Sequence, residues 1–129
     1  MDPFEQEIIV SEQDIDERNH VNNVRYVEWV QDVAKADWTL KASDKTQQDF
    51  YWVMISHHIQ YKAEAVLGDT LILRTYVTKA KGVKSTRIVE IYNKSTQKLL
   101  TTSETIWCFM SHDTNRPARI PEDVEILFD

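Results

Sequence analysis

The sequence has few of the residues that crosslink, bend or anchor a chain. Its one cysteine, Cys108, excludes an internal disulfide and is typical of a reducing compartment such as the cytoplasm. Two glycines and three prolines leave no flexible linker, and we find no repeat, so we expect residues 1–129 to form one domain. No hydrophobic run approaches the roughly 20 residues of a transmembrane helix, so we expect no membrane partner.

Positive charge is also scarce. The chain has 15 Lys and Arg residues against 21 Asp and Glu residues, a formal net charge of −6. Nucleic acid requires a dense positive surface, so we do not expect it as a partner. Residues 1–5 have neither the basic nor the apolar region of a signal peptide, so we expect none. The prediction is therefore a cytoplasmic protein.

Polar groups are concentrated between residues 16 and 23. This segment holds a carboxylate, an imidazole and three carboxamides, namely Asp16, His20, Asn19, Asn22 and Asn23. Apolar residues then recur at three- and four-residue spacing, which predicts an amphipathic helix over residues 22–40 with Asn22 or Asn23 as its N-cap. The free N–H groups and positive dipole end of such a helix favour developing negative charge, which suits chemistry on an acyl group.

The remaining segments predict β-structure. We expect strands at residues 5–11, 51–61, 70–80, 85–93 and 98–111, a polar loop at 41–49, and a short helix opened by Pro121. Alternation within residues 51–61 predicts one face formed by Val53, Ile55, Ile59 and Tyr61. One sheet with one helix on one face is an α+β architecture, and its edge strands need the cover that a homodimer would provide.

Several segments resemble motifs of the hotdog-fold acyl thioesterases. The ten-residue spacing from Asp16 to Tyr26 resembles that of bacterial acyl-CoA thioesterases of the 4-hydroxybenzoyl-CoA thioesterase family. The segment from His20 to Tyr26 resembles plant acyl-carrier-protein thioesterases even more closely. A second motif at residues 61–64, ahead of Gly68, and a closing motif at residues 115–117 follow in the family's order.

The resemblance implies a hotdog domain, with a five-stranded antiparallel sheet wrapped around one long central helix, and hydrolysis of an acyl thioester without a cofactor. It implies that Asp16 is the nucleophile or the general base, supported by His20 and Glu64. Two positions depart from the plant pattern, where Arg18 replaces an asparagine and Ala65 replaces a cysteine. The plant enzymes fuse two hotdog units, so this single unit implies a homodimer or a dimer of dimers.

Substrate contacts are expected at the start of the helix and at the Gly82 hairpin. Backbone N–H groups near Asn22, Asn23 and Val24 are candidates to polarise the thioester carbonyl. We expect an apolar acyl slot beside the helix, lined by Tyr26, Trp29 and Val30. Positive residues gather around the hairpin, where Gly82, Lys84, Ser85 and Arg87, with Lys79 and Lys81, are candidates to bind the phosphates of coenzyme A or an acidic carrier protein.

Structural explanations compete with several of these roles. Asp16 and Glu64 could be solvated residues, His20 a capping residue, and the Gly82 hairpin an ordinary charged turn. Adjacent His57 and His58 would point to opposite faces of a strand, so we expect them to bind no metal.

The same fold also carries enoyl-thioester hydratases and dehydratases, and a non-catalytic acyl-thioester binding module is a further alternative. The length and aromatic or aliphatic nature of the acyl group, and the choice between coenzyme A and carrier protein, stay open.

Overall fold

The structure, a computed structural model, describes residues 3–129, so the first two residues of the segment tested for a signal peptide lie outside it. Its strands are β1 (Phe4–Ile9), β2 (Phe50–Tyr61), β3 (Thr70–Lys81), β4 (Lys84–Asn93) and β5 (Leu99–Ser111). Its helices are α1 (Asn23–Lys41), α2 (Asp44–Asp49) and α3 (Glu122–Glu125), with 3-10 turns at Glu12–Asp14 and Ile126–Phe128. Within residues 3–129, no helix is long and apolar enough to cross a membrane.

The five strands form one antiparallel sheet in the order β1-β3-β4-β5-β2. The strands β3 and β4 are joined by a tight hairpin in which Gly82 has φ of +65°, a conformation that favours glycine. The predicted strands are therefore confirmed, with ends that differ by one or two residues. The first two strands of the chain occupy the two edges of the sheet.

The apolar face of α1 packs on one face of this sheet. Tyr26, Trp29, Val30 and Val33 are each at most 4% exposed. They share a core with side chains of β3, β4 and β5, namely Leu71, Leu73, Val89, Ile91 and Leu100. Burial of such a side chain contributes roughly 1.5–3 kcal/mol, so this interface holds the helix on the sheet. The predicted helix is confirmed, beginning and ending one residue later than expected.

Residues 41–49 do not form the simple loop that the sequence predicts. They contain α2, whose N-cap Ser43 accepts a hydrogen bond from the Thr46 N–H at 3.1 Å. The helix lacks apolar residues at helical spacing and buries none of its residues, so hydrophobic periodicity gave no signal for it. Its capping serine was the available signal.

The face predicted for β2 is also wrong. A β-bulge between Met54 and Ser56 makes Ile55 an extra residue, opposite no residue of β5. An extra residue reverses the alternation of side chains beyond it. Val53 and Ile55 are therefore 41% and 50% exposed, whereas Ile59 packs against the core.

β2 runs antiparallel to α1. The Tyr61 hydroxyl, at the end of β2, lies 3.5 Å from the carbonyl oxygen of Asn23 at the start of the helix. The Trp52 ring, near the start of β2, is 5.8 Å from the Trp38 ring in the last turns of the helix. The start of α1 therefore lies near the end of β2, and the end of α1 lies near the start of β2.

Candidate functional site

Asp16 and His20 occupy the two ends of a five-residue loop. An isolated β-bridge between Ile15 and Val21 closes this loop, and the Asp16 N–H donates to the His20 carbonyl at 2.9 Å. Inside the loop, Asn19 has φ of +62°, a left-handed conformation that asparagine tolerates better than most residues. The closed loop holds the carboxylate and the imidazole at neighbouring positions.

Asp14 connects this loop to α1. Only 4% of Asp14 is exposed, and its carboxylate accepts hydrogen bonds from the Ser11 N–H, the Ser11 hydroxyl and the Arg25 guanidinium, the last at 2.7 Å. Burial alone raises the pKa of Asp14, but the bonds from Ser11 and Arg25 outweigh it and leave the pKa below its usual 3.8. Sequence reasoning missed this residue, although Ser11 followed three residues later by an acid is a capping-box pattern.

Glu64 lies beside the same loop, although it follows His20 by 44 residues in the sequence. The Val21 N–H donates to the Ala65 carbonyl at 3.0 Å, and the Ala65 N–H donates to the buried Tyr26 hydroxyl at 3.1 Å. These two bonds fix the backbone beside Glu64, whose Oε2 lies 3.3 Å from His20 Nε2. The other imidazole nitrogen, His20 Nδ1, is buried and has no hydrogen-bond partner within residues 3–129.

Arg18 lies between the two candidate carboxylates. Its Nη2 donates to Glu64 Oε1 at 2.6 Å, and its Nε is 3.9 Å from Asp16 Oδ2. The bond from Glu64, together with its charge and that of Asp16, raises the pKa of the Arg18 guanidinium. The Arg18 N–H also donates to Asp16 Oδ1 at 2.9 Å. Because its partner Glu64 is distant in sequence, the position could be noticed only as a departure from the plant motif.

The start of α1 has fewer free donors than expected. The Asn22 N–H donates to the Asp14 carbonyl, and the Val24 N–H donates to the Asn22 side chain, each at 2.9 Å. Asn22 is thus the N-cap, as one of the two predicted alternatives had it. Within residues 3–129, the Asn23 N–H has no hydrogen-bond partner, so of the three predicted donors it is the one left for a ligand.

The other predicted substrate contacts are dispersed. Tyr26 is 1% exposed, and with Trp29 and Val30 it belongs to the closed core, so the acyl slot expected beside these residues is wrong. The substrate contacts predicted around the Gly82 hairpin do not form one surface, because successive side chains of β4 point to opposite faces of the sheet. Gly82 and Lys84 are exposed, as are Lys79 and Lys81, whereas Ser85 and Arg87 are 7% and 6% exposed on the helix-facing side. Arg87 is therefore absent from the surface patch to which the sequence assigned it.

A cavity of about 410 Å³ lies at the other end of α1. The C-terminal half of the helix, α2, the start of β2 and the beginning of β4 form its walls, together with Phe128. Cys108, in contrast, is a buried side chain on β5. Within residues 3–129, no three His, Cys, Asp or Glu side chains are placed to hold a metal ion.

Taken together, the loop and the start of α1 combine a partly exposed carboxylate, an imidazole and an unpaired backbone donor. The Asp16 side chain is 25% exposed and that of His20 is 35% exposed. A carboxylate can attack an acyl carbonyl or accept a proton from water, and a backbone N–H can stabilise the oxyanion that forms. The arrangement is suited to acyl transfer to water.

Comparison with known proteins identifies relatives among thioesterases. A palmitoyl-acyl carrier protein thioesterase of the chloroplast from Cuphea hookeriana is 27% identical over 78 residues, or 60% of this chain. The matched region is 19% of that protein, so the chain spans about a fifth of the length of this curated relative.

Solved structures with the same fold include a 1,4-dihydroxy-2-naphthoyl-CoA thioesterase from Synechocystis, with a TM-score of 0.85 and 18% identity over 98% of this chain and 96% of that chain. A Staphylococcus aureus protein in complex with CoA has a TM-score of 0.87 and 19% identity over 98% and 81% of the two chains. A sequence model of the thioesterase-like superfamily matches residues 10–127. Because that match covers nearly the whole sequence, the chain belongs to the thioesterase-like superfamily.

Proposed function

We propose that this protein hydrolyses an acyl thioester to a free acid and a thiol. The observation that carries the proposal is that Asp16, His20 and Glu64 meet at one loop, in a chain of the thioesterase-like superfamily. Three residues after His20, the Asn23 N–H has no hydrogen-bond partner within residues 3–129. Membership of a family does not by itself assign a reaction, so the argument depends on the chemistry of these groups.

Asp16 is the group proposed to begin the reaction. In one route its carboxylate attacks the thioester carbonyl and the C–S bond breaks to give a mixed anhydride and a thiolate. A water molecule then gives its proton to the thiolate and its hydroxide to the anhydride, which releases the free acid and restores the Asp16 carboxylate. In the other, Asp16 takes a proton from water, the hydroxide attacks the carbonyl, and the thiolate then receives the proton. The Asn23 N–H would donate to the carbonyl oxygen as negative charge develops there, and His20 would orient the water or the leaving sulfur.

The edge strand β2 supports the proposal of a homodimer. It is 12 residues long and contains no Asp, Glu, Lys or Arg, whereas the other edge strand, β1, carries exposed Glu5 and Glu7. Charged side chains protect exposed edges against pairing, and an uncharged long edge has no such protection. We propose that two β2 strands pair antiparallel, so that two sheets become one.

This pairing would join the cluster and the cavity into one site. Antiparallel pairing across a two-fold axis keeps both helices on the same face of the joined sheet. It also places the Tyr61 end of one β2 beside the Phe50 end of the other. Since β2 runs antiparallel to α1, the loop that carries Asp16 in one subunit would approach the cavity of its partner. The partner's cavity would then receive the acyl group, and a dimer of such dimers is compatible with the same site.

The Gly82 hairpin is proposed to bind the thiol portion of the substrate. Lys79, Lys81 and Lys84 are exposed around it in a chain of net charge −6. A local positive surface can bind the phosphates of coenzyme A or the acidic surface of a carrier protein. No metal or organic cofactor is needed for the proposed reaction, and the cytoplasm is the proposed compartment.

The test is thiol release from acyl-CoA and acyl-carrier-protein substrates by the wild-type protein and by Asp16→Ala. We expect Asp16→Ala to lower kcat by at least about a hundredfold, because the attacking or proton-accepting group is lost. The matched control is Glu17→Ala, which removes the exposed carboxylate of the adjacent residue. The control should retain wild-type turnover, and both variants should retain the wild-type melting temperature.

Wild-type rates in a folded Asp16→Ala variant would disprove the role of that carboxylate. Absence of thiol release from every substrate by the wild-type protein would disprove the function itself. In that event, an enoyl-CoA hydration assay and a direct acyl-CoA binding measurement would distinguish a hydratase from a binding module.

A further inference from the structure

The walls of the cavity at the C-terminal half of α1 are rich in aromatic rings. They include Trp38, Trp52, Trp107, Phe50 and Phe128. The rings of Trp38 and Trp52 meet edge to face at 5.8 Å, and Trp38 stacks on Phe128 at 6.1 Å. Flat, rigid walls of this kind pack well against another planar group, and a flexible alkyl chain uses them less well.

Arg87 places a cation at the wall of this cavity. The Arg87 side chain is 8% exposed, and its Nη1 donates to Asp37 Oδ2 at 2.8 Å and to Thr75 Oγ1 at 3.0 Å. Within residues 3–129, Nε and Nη2 of Arg87 make no hydrogen bond. These two nitrogens form one edge of the planar guanidinium, and their parallel N–H groups match the two oxygens of a carboxylate.

The charges around Arg87 do not balance. Lys41 Nζ lies 2.9 Å from Asp37 Oδ1, in an ion pair that lacks hydrogen-bond geometry. Two cations therefore share the single carboxylate of Asp37, which is 1% exposed. Both cations also lie over the Phe128 ring, each 5.3 Å from its centroid. Burial lowers the pKa of Arg87, against the opposing effect of Asp37, so the charged form is held at a cost that a bound anion would reduce.

We propose that the cavity binds an acyl group that ends in a carboxylate, and that Arg87 binds this carboxylate through Nε and Nη2. The substrate class is then the monothioester of a dicarboxylic acid, with a planar aromatic segment preferred by the walls. This inference rests on the proposed function, because the cavity is taken to hold the acyl group. A purely structural Arg87–Asp37 pair would give no preference for a carboxylate.

The test compares two matched pairs of CoA thioesters that differ in the distal carboxylate: benzoyl-CoA with the mono-CoA thioester of terephthalic acid, and hexanoyl-CoA with adipoyl-CoA. We expect the wild-type protein to prefer the carboxylated member of each pair in kcat/KM, by about tenfold or more for the aromatic pair. Arg87→Met should reduce that ratio towards one. Arg87→Lys, which keeps the charge but loses the paired donors, should give an intermediate ratio.

The matched control is Arg74→Met, which removes an arginine paired with Glu5 outside the cavity and should leave the ratio unchanged. If Arg87→Met does not fold, the double variant Arg87→Met/Asp37→Asn takes its place in the experiment, because it removes both charges of the buried pair. A wild-type preference for the neutral member of both pairs, or a ratio that does not change in Arg87→Met, would overturn the inference.

Binding of free terephthalate separates this inference from the proposed function. Terephthalate should raise the melting temperature of the wild-type protein more than benzoate does, and Arg87→Met should lose that difference. If the wild-type protein binds terephthalate in this way but releases no thiol, the proposed function fails and the carboxylate site stands. If thiol is released but terephthalate and benzoate act alike, the site fails and the function stands.

Discussion

The Asp14 side chain is nearly buried, yet its carboxylate accepts three hydrogen bonds. The backbone carbonyl of Asp14 also accepts a hydrogen bond from the N–H of Asn22, the N-cap of α1. Asp14 therefore fixes both the loop that carries Asp16 and the first turn of α1. Hydrogen bonds to a charged group contribute about 1.5–3 kcal/mol, so the position matters for the stability of the site as well as for its shape.

Asp14→Asn is expected to lower the free energy of unfolding by about 1.5–3 kcal/mol at neutral pH. Since folding lowers the pKa of Asp14, its contribution is present above pH 3.8, the usual value, and is lost as the pH falls through the lower folded value. Urea unfolding at a series of pH values should therefore show a smaller loss of stability in acid for the variant. Glu12→Gln, an exposed acid of the same 3-10 turn, is the control. Equal stability and equal pH profiles for wild type and Asp14→Asn would contradict the assignment.

Single residues show where sequence reasoning reaches its limit at the site. Asp16 and His20 stand four residues apart, so their proximity could be predicted from the polar run alone. Glu64 joins them because Val21 pairs with Ala65, and that pairing depends on the register of the whole fold. Arg87 was assigned to a surface patch because its charge was considered without its position on the strand. Side chains alternate between the two faces of a strand, so Arg87 lies on the same face as buried Ser85.

At the scale of the helix, the cap of α1 controls which backbone donors a substrate can use. The Asn22 side chain occupies the Val24 N–H, whereas the Asn23 N–H has no hydrogen-bond partner among residues 3–129. A short polar side chain at this position stabilises the first turn by about 1 kcal/mol.

Asn22→Ala should therefore lower the melting temperature, by an amount that corresponds to about 0.5–2 kcal/mol in thermal unfolding. Asn23→Ala, one residue on and without a capping bond, should unfold close to the wild-type temperature. Equal losses in both variants would show that Asn22 acts through something other than its cap.

Elements with a strong apolar period were predicted well, and those without one were not. The apolar face of α1 and the alternation in β3 and β4 consist of residues that are buried in the core, so their apolar spacing is visible in the sequence. α2 buries nothing, and the bulge at Ile55 depends on the pairing of β2 with β5, which no local pattern encodes.

At the scale of the whole molecule, the two edges of the sheet are unlike. Ile55→Lys, near the middle of β2, would place two like charges across the proposed two-fold axis, and like charges opposite one another oppose strand pairing. We expect this variant to be monomeric by analytical ultracentrifugation and to release little thiol. Ile9→Lys, on the other edge and 68% exposed, should stay dimeric and active. Dissociation by Ile9→Lys alone would assign the interface to β1 instead.

The strand order also has a consequence for how the site forms in time. β1 pairs with β3, and β2 pairs with β5, so each edge strand pairs with a strand that is distant in the sequence. Such non-local pairings slow folding. The β3–β4 hairpin has the shortest connection, whereas the contact between Arg18 and Glu64 joins residues 46 positions apart. Refolding experiments that follow helix content should therefore report recovery earlier than assays of thiol release, since the Asp16 loop acquires its neighbours only when the sheet is complete.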